Sequence, residues 1–399
     1  MLQLYNLGLR IYSILILIFS IFNKKAGLWI AGRRNVAIAP FTDSVWFHFA
    51  SLGEFEQGRP VLERYRADNL QAKIVITFFS PSGYEIRKNT LLADAVYYLP
   101  LDTAANAREF IEAINPTLAV FTKYEYWYHY FNELHNRNIP LYMVSGIFRP
   151  GQVFFKWYGG LHRKMLSFVS HFFVQDEQSK QLLQAININN VTISGDTRFD
   201  RVWANAQTLR ILPEIAAFTD NQKTFIAGST WSADEQLLAG LITEYPDWKF
   251  IIAPHEIDED KINRLIHLLP QNSYERFSQM SNVKSQILII DNIGMLSSLY
   301  QYGHIAYIGG GFGAGIHNTL EAAAFGLPVI FGPNYQKFKE AKDLLAIGAG
   351  FSVDDEQGFK KTASDLISDP ELLKDAGQKA RGYVQQNIGA TDMIMSEMR

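Results

Sequence analysis

The stretch HIAYIGGGFGAGIHNTLEAAAFGLPVIFGP, His304–Pro333, decides the fold of this chain. Its pattern predicts a buried strand, a glycine-rich turn, a helix and a second strand, at 305–308, 309–315, 318–325 and 329–331. Glycines bring the backbone close to a ligand, and the N–H groups that open a helix favour a phosphate. Asn318 and Glu321 stand at that opening, where they can hydrogen-bond the sugar hydroxyls of a nucleotide. The alternative is a tight crossover in which the glycines serve only the turn and Glu321 is a surface charge.

The composition is that of a globular protein with two domains. A chain of 399 residues fits two domains of roughly 150–200 residues, and 48% hydrophobic with 19% charged residues is ordinary for soluble cores. A net charge of −3 argues against a general nucleic-acid binder, which carries a basic excess. The absence of cysteine excludes disulfides, thiolate nucleophiles and cysteine-ligated zinc.

The N-terminus carries an apolar segment, LGLRIYSILILIFSIF at Leu7–Phe22, with Lys24 and Lys25 directly after it. No small-residue cleavage site follows, and the positive charges lie on the C-terminal side. We therefore expect a retained membrane anchor over 1–25, with the bulk of the protein at the cytoplasmic face. The alternative is a buried first helix of the domain. A second segment, Phe154–Val169, mixes aromatic and basic residues and can either rest on an anionic membrane surface or form a core helix.

The first half of the chain predicts a doubly wound parallel sheet, because strand-like segments alternate with helical ones. The strands are expected at 44–50, 73–78, 95–99, 118–122, 141–145, 171–174 and 191–194. Polar side chains follow three of these strands, namely Glu54, Ser80 with Ser82, and Glu125. Such strand ends meet at one edge of a sheet, where a carboxylate can act as general base toward an alcohol. For each glutamate the alternative is a charge that complements a helix dipole.

The second half repeats this design after GDTRFD, Gly195–Asp200. The segment AGSTW and the helix after it echo the first unit: a strand, small residues, and a helix with an early acid. We therefore predict two Rossmann-like domains facing each other across a cleft, at 26–205 and 206–380, with a C-terminal helix at 381–399 that packs back on the first domain. His255 lacks a second histidine at helical spacing, so no zinc motif is supported. The run Asp258–Asp260 is most simply a solvated acid cluster at a helix start.

Taken together, six motifs resemble, in order and spacing, those of the 3-deoxy-D-manno-octulosonic acid (Kdo) transferases of lipopolysaccharide synthesis. They are FASLGE (Phe49–Glu54), KYEYW (Lys123–Trp127), SGDTRFD (Ser194–Asp200), AGSTW (Ala227–Trp231), DNIGMLSSLY (Asp291–Tyr300) and GGGFGAGIHNTLEAAAFGLPVIFGP (Gly309–Pro333). The resemblance implies the α/β GT-B fold, an N-terminal anchor helix, the donor CMP-Kdo and a lipid A precursor as acceptor. It also implies a metal-independent reaction without a cofactor, inversion at the anomeric carbon, and a place at the cytoplasmic face of the cell inner membrane.

The resemblance also implies roles for single residues. Glu54 matches the family's catalytic base, Glu125 matches an acid thought to support the transition state, and Arg198 stands where the family usually has lysine. The residues matched to CMP-binding segments are Pro254, His255, Ile293, Gly294, Met295, Asn318, Thr319, Leu320 and Glu321.

Two departures from the family pattern stand out. Lys123 replaces the first acid of a paired-acid motif, and His255 follows Pro254 where the family commonly has arginine. Arg198 keeps the positive charge of the family's lysine, although its guanidinium has a different shape. Two alternatives stay open: a GT-B enzyme with another nucleotide-sugar donor, or a non-catalytic nucleotide binder at a membrane.

Overall fold

The computed structural model describes residues 1–34, 36–281 and 283–398, and the chain forms two compact units. The N-terminal unit consists of Met1–Asp200 and Ile388–Arg399, and the C-terminal unit consists of Arg201–Asn387. The division after Asp200 and the boundary predicted after residue 205 both fall within one helix, Thr197–Gln207. Arg399, the end of the predicted C-terminal helix, lies outside the described residues.

The described part of the N-terminal unit contains one parallel sheet covered by helices. Its strands are β1 (Ser44–Phe49), β2 (Lys73–Phe78), β3 (Ala95–Tyr98), β4 (Pro116–Thr122), β5 (Leu141–Gly146), β6 (His171–Val174) and β7 (Val191–Ile193). Its helices are α1 (Leu2–Phe19), α2 (Lys24–Ala31), α3 (Leu52–Asp68), α4 (Pro81–Arg87), α5 (Ala104–Ile114), α6 (Tyr128–Asn136), α7 (Gly160–Leu166), α8 (Glu177–Gln184) and the start of α9 (Thr197–Gln207). The strand order is β3-β2-β1-β4-β5-β6-β7.

The C-terminal unit repeats this architecture. Its strands are β8 (Thr224–Thr230), β9 (Lys249–Pro254), β10 (Tyr274–Arg276), β11 (Ile287–Ile289), β12 (Ile305–Ile308), β13 (Val329–Phe331) and β14 (Gly350–Ser352). Its helices are α10 (Pro213–Thr219), α11 (Ser232–Glu244), α12 (Glu259–Leu268), α13 (Leu296–Leu299), α14 (Leu320–Ala324), α15 (Lys339–Ala346), α16 (Glu356–Ser368) and α17 (Pro370–Gln386). The strand order is β10-β11-β9-β8-β12-β13-β14, and every pair is parallel.

The strands form where the sequence is almost continuously apolar. All six residues of β1, SVWFHF, are buried, as are all four of β12, IAYI. Strands with helices on both faces require such runs, and this confirms the predicted doubly wound design in both halves. The sequence did not predict β10 and β14, because each has three residues and neither has a fully buried run.

The chain after residue 380 differs from the single helix predicted at 381–399. It contains the end of α17 and a further helix, α18 (Ala390–Glu397). Gly389, with φ +110°, lies between the two helices. Glycine adopts this left-handed conformation without steric cost. Helix α18 belongs to the N-terminal unit: Ile394 is fully buried there, and Asp200 accepts hydrogen bonds from the N–H groups of Gly389 (2.6 Å) and Thr391 (2.7 Å).

Helix α1 is apolar, exposed and fixed to the N-terminal unit at its start. It is long and apolar enough to cross a membrane by length and composition, and no residue of this fully described helix is buried. The Tyr5 hydroxyl donates a 2.5 Å hydrogen bond to the buried carboxylate of Asp102, and Asn6 Oδ1 lies 2.7 Å from Nε2 of His129. The first turns of α1 therefore pack on the unit, as does the ring of Tyr12, while many of its apolar side chains, such as Leu7, Ile14 and Ile18, are exposed.

Candidate active site

Glu54 lies in the first turn of α3, directly after β1. Its Oε2 accepts a 2.6 Å hydrogen bond from the N–H of Ala50, so the side chain closes the turn between strand and helix. Burial and then the negative charge of Glu125 raise the pKa of Glu54 to about 8, against smaller opposing effects of the Ala50 N–H and Lys123. The ionised fraction of Glu54 therefore rises from about a tenth at pH 7 to about half at pH 8, and a pKa this close to the working pH suits a general base.

Glu125 follows β4 and is oriented by two ring N–H groups. Its Oε2 lies 2.9 Å from Nε1 of Trp127 and 3.4 Å from Nε2 of the fully buried His48. Thr77, opposite His48 in the sheet, accepts from Nε1 of Trp46 at 2.8 Å and contacts Nδ1 of His48 at 2.7 Å. Because the carboxylate of Glu125 only accepts, the His48 proton is assigned to Nε2 facing it, and Nδ1 then accepts the proton of the Thr77 hydroxyl. Burial lowers the pKa of His48, so the ring is a neutral donor.

Arg198 lies in the first turn of α9 and forms an ion pair with Asp196. Its Nε and Nη2 lie 2.9 and 2.7 Å from Asp196 Oδ2. Oδ1 of Asp196 accepts a 2.9 Å hydrogen bond from Gln57, and the Thr197 hydroxyl donates to the Gln57 carbonyl. Gln57 is three residues beyond Glu54 in α3. The SGDTRFD motif is therefore bound to the helix that carries Glu54.

The three predicted catalytic residues share one end of the N-terminal sheet. The charge of Glu125 acts on Glu54, and the Tyr124 hydroxyl senses the charges of both Glu54 and Arg198. Burial has the largest effect and raises the pKa of Tyr124. The charges of Arg149 and Arg198 lower it, and the charge of Glu54 raises it. The site thus combines a carboxyl group of raised pKa (Glu54), a carboxylate held in place by hydrogen bonds (Glu125) and a positively charged group (Arg198). These groups can remove a proton and stabilise the charge that develops in the transition state.

In the C-terminal unit, three aromatic rings stack after the carboxyl ends of β8, β9 and β12. The rings of Trp231 and His255 lie 4.8 Å apart at 28°, and those of His255 and His317 lie 4.3 Å apart at 25°. Nε1 of Trp231 donates to Nε2 of His317 at 3.2 Å. Burial and then His255 lower the pKa of His317 to about 4; burial and then Lys261 lower that of His255. Both imidazoles are therefore neutral at pH 7.

Asp234, in the first turn of α11, holds the glycine-rich turn in place. Its carboxylate accepts hydrogen bonds from Trp231 N (2.9 Å), Gly310 N (3.0 Å) and the Tyr307 hydroxyl (2.6 Å). Sequence reasoning noted an early acid in this helix but assigned it no role. A Cβ on Gly309 would lie 2.3 Å from the carbonyl oxygen of Ser229, so a close backbone approach requires glycine there.

The Asn318–Glu321 corner is internally hydrogen-bonded. Asn318 Oδ1 accepts from Leu320 N at 3.1 Å, and its Nδ2 donates to Glu321 Oε1 at 3.2 Å. Burial raises the pKa of Glu321, whereas the hydrogen bond from Asn318 and the charge of Arg201 lower it. Glu321 is therefore an enclosed polar group and not a free surface charge. The buried hydroxyl of Thr319 has no hydrogen-bond partner among the described residues. Helix α14 is shorter than predicted, with five residues, which weakens the helix-dipole argument for a phosphate.

The remaining predicted donor residues lie on two loops at the same sheet edge. The loop after β11 has Ile293 92% exposed, Gly294 with φ +93°, and Met295 buried. The loop after β9 has Pro254 half-buried and His255 exposed. Both loops lie at the carboxyl edge of the sheet, where open α/β folds bind their ligands.

Two Rossmann-like units with such residues at the carboxyl edges define a protein of the GT-B class. A solved structure with this fold is the UDP-GlcNAc 2-epimerase from Neisseria meningitidis bound to UDP-GlcNAc. It has a TM-score of 0.65 and 18% identity, over 88% of this chain and 98% of that protein.

Sequence comparison assigns the N-terminal part of the chain to a family. Residues 22–201 match the family model of the 3-deoxy-D-manno-octulosonic-acid transferase (kdotransferase). The Kdo transferase of Haemophilus influenzae is 24% identical over 92% of this chain and 89% of its own length, and that of Chlamydia pneumoniae is 27% identical over 87% and 83%. A bifunctional glycosyltransferase/methyltransferase of Fusobacterium nucleatum is 24% identical over 86% of this chain, which spans 55% of that protein. The chain is therefore a glycosyltransferase related to the Kdo transferases, with residues 22–201 forming a domain of their family.

Proposed function

We propose that this protein transfers Kdo from CMP-Kdo to a hydroxyl of the lipid A precursor lipid IVA, with inversion, in lipopolysaccharide core biosynthesis. The observation that carries the proposal is Glu54, a carboxyl with a pKa near 8 beside the oriented carboxylate of Glu125. A transferase that makes a glycosidic bond needs such a base for the acceptor hydroxyl. The similarity to Kdo transferases supports the choice of sugar.

In the proposed reaction, ionised Glu54 takes the proton of the acceptor hydroxyl as that oxygen bonds to the anomeric carbon of Kdo. The bond from this carbon to the phosphate oxygen of CMP breaks, and its electron pair leaves with CMP. Positive charge develops on the sugar, which the carboxylate of Glu125 stabilises, while Arg198 offsets the negative charge of the leaving phosphate. No step uses a metal or cofactor.

We propose that the nucleotide is bound by the C-terminal unit alone, with Asn318 and Glu321 on its sugar hydroxyls and the Ile293 loop and His255 beside its base and phosphate. Asn318→Ala and Glu321→Ala should each weaken CMP binding by about 1–3 kcal/mol, roughly one to two decades, because each change removes a hydrogen bond of an enclosed group. Calorimetry measures this affinity. Asn205→Ala, at an exposed position of α9, is the matched control. Unchanged affinity in both site variants would contradict the assignment.

We also propose that α1 attaches the protein to the cytoplasmic face of the inner membrane by lying in the membrane surface. Its start is hydrogen-bonded to Asp102 and His129, whereas Leu7, Ile14 and Ile18 are exposed. Deleting α1 does not test this attachment cleanly, because the deletion also removes Tyr5, a hydrogen-bond partner of the buried Asp102.

Replacing Leu7, Ile14 and Ile18 together by glutamine should instead detach the protein without unfolding it. Each such side chain contributes about 1.5–3 kcal/mol when buried in an apolar phase, so the membrane-bound fraction should fall by roughly tenfold or more. Flotation with anionic vesicles measures it, and circular dichroism checks the fold. Equal flotation of variant and wild type would rule out this attachment.

The function itself is tested by incubating the purified full-length protein with CMP-Kdo and tetraacylated lipid IVA and weighing the products by mass spectrometry. We expect acceptor masses raised by Kdo residues and no product from UDP-hexoses. Transfer from a UDP-sugar but not from CMP-Kdo would favour the GT-B enzyme with another donor. Nucleotide binding without any transfer would favour the non-catalytic alternative.

A further inference from the structure

A cavity of about 520 Å³ lies in the N-terminal unit between α1, α2, the end of β3 and α5. Its volume falls within the ~300–1,000 Å³ of ligand-binding clefts. Apolar side chains such as Leu17, Ile30, Leu101 and Phe110 line it. Strand β3 is the outer strand of its sheet, separated by β2 from β1, after which Glu54 lies. The cavity is therefore separate from the catalytic residues.

Arg33 reaches this cavity with hydrogen-bonding capacity to spare. Its Nε, Nη1 and Nη2 donate to the carbonyl oxygens of Leu99 (2.8 Å), Trp29 (3.2 Å) and Phe79 (2.7 Å). A guanidinium has five N–H donors, so two N–H groups of Arg33 have no acceptor among the described residues. The described residues also give it no carboxylate partner: Glu109, on the cavity wall, forms no ion pair with it. Burial lowers the pKa of Arg33 to about 9, the mark of a charge without a counter-ion.

Trp29 packs against Arg33 on the same wall. Its ring lies 3.9 Å below the Arg33 guanidinium, and the residue is only 7% exposed. Its indole Nε1 is buried away from the cavity, whereas Arg33 is partly exposed. The donors that a ligand in the cavity would meet are therefore the spare N–H groups of Arg33.

We propose that this cavity binds an anionic membrane phospholipid, with one acyl chain inside it and the phosphate on Arg33. Guanidinium and phosphate form strong paired hydrogen bonds. The apolar walls match the chain, and the exposed Arg34 adds positive charge at the rim. Leu17 of α1 both lines the cavity and is 47% exposed, so the site adjoins the surface that we assign to the membrane.

A lipid here would also contact the catalytic end of the sheet indirectly. Arg33 holds the carbonyl of Phe79, and the Phe79 ring lies 4.8 Å from that of Trp127. Trp127 in turn donates to the carboxylate of Glu125. Arg33 and Trp29 are therefore positioning residues for this end of the site, and lipid binding would stiffen the wall behind Glu125.

The test measures lipid binding directly, without any transferase assay, so its failure is distinct from a failure of the proposed function. Full-length protein in a neutral detergent is titrated with phosphatidylglycerol that carries brominated acyl chains, which quench nearby tryptophans. We expect quenching that Trp29→Phe largely removes, and an affinity that Arg33→Gln lowers roughly tenfold or more. Arg108→Gln, on the exposed side of α5, is the matched control and should bind as wild type.

Leu101→Trp separates lipid binding from a structural role of Arg33, because it fills the cavity and leaves Arg33 and its three carbonyl contacts intact. This variant should remain folded, as judged by its melting temperature, and should lose binding. Quenching unaffected by Trp29→Phe and Leu101→Trp would overturn the proposal. Equal binding of zwitterionic phosphatidylcholine would overturn the phosphate contact, and binding of lipid IVA without any phosphatidylglycerol binding would overturn the choice of a bilayer lipid.

Discussion

Replacing Glu54 by glutamine is expected to lower turnover by about 10²–10⁴-fold, the usual contribution of a general base. Glutamine keeps the size of the side chain, and its carbonyl oxygen can still accept the hydrogen bond from Ala50 N that closes the turn into α3. Only the proton acceptor is lost. CMP binding, which we assign to the C-terminal unit, should stay close to the wild-type value. Turnover near the wild-type level, with fold and CMP affinity verified, would move the base elsewhere, with Glu125 as the next candidate.

The pH profile provides an independent measurement on the same residue. The pKa of Glu54 is raised to about 8 and the base is the ionised form, so kcat/KM should rise with pH and level off above pH 8. The charge of Glu125 is the second cause of the raised value, after burial. Glu125→Gln should therefore move the rising limb to lower pH, in addition to its effect on rate. An unmoved limb would show that another group controls the profile.

The stability of the folded protein should fall as the pH rises, whereas kcat/KM should rise. Because the folded pKa of Glu54 lies above its ordinary value, the folded state holds this proton more tightly than the unfolded state between about pH 4.5 and 8. Stability is thus lost as the pH rises through this window. Glu54→Gln removes the effect, so its melting temperature relative to wild type should increase from pH 5 to pH 8. This control also shows whether the variant is folded.

The second large effect is expected at Asp234. Asp234→Ala leaves three donors without an acceptor: the N–H groups of Trp231 and Gly310 and the hydroxyl of Tyr307. Unpaired buried donors cost about 1–3 kcal/mol each, so we expect a loss of roughly 3 kcal/mol or more. A domain of this size loses about 2–4 °C in melting temperature per kcal/mol, which gives a fall of roughly 6–12 °C. Differential scanning calorimetry measures it.

Asp234→Ala should also weaken CMP binding, because the carboxylate holds the glycine-rich turn against the end of β8. The matched control is Asp365→Ala, which removes an exposed carboxylate from α16 in the same unit and should change little. A variant at Asp234 with unchanged melting temperature and unchanged CMP affinity would show that the turn is held by its backbone alone.

The architecture could be predicted because its signals are local in sequence. Buried parallel strands are short apolar runs, and ligand-type residues follow their carboxyl ends, which is how Glu54 and Glu125 were found. The short strands β10 and β14 lack that signal. Every residue of β10, Tyr274–Arg276, is partly exposed, so the strand has no apolar run. Helix α14 was predicted to begin two residues too early, because the Asn318 side chain accepts the N–H of Leu320 and Asn318 stands before the helix.

The supporting residues of the site could not be predicted, because their partners are distant in sequence. His48 looked like one polar residue in an apolar strand, and its partners Thr77 and Glu125 are 29 and 77 residues away. The same holds for Tyr5, whose partner Asp102 is 97 residues away. Composition indicated that α1 is a membrane segment but carried no information about where the helix is fixed. One signal was present for Asp234, since an acid in the first turn after a small-residue loop occurs at Glu54 as well.

The return of α18 to the N-terminal unit has a consequence for the order in which the protein is made. Asp200 and its partner Gly389 are 189 residues apart, and a ribosome that adds ~5–20 residues per second needs roughly 10–40 s to make the chain between them. During this time α1 has already left the ribosome with its apolar side chains exposed, whereas Asp200 and the surface that receives Ile394 are still uncovered. The proposed membrane attachment of the nascent chain can therefore precede completion of the unit that is attached, because α18 is made only after the C-terminal unit.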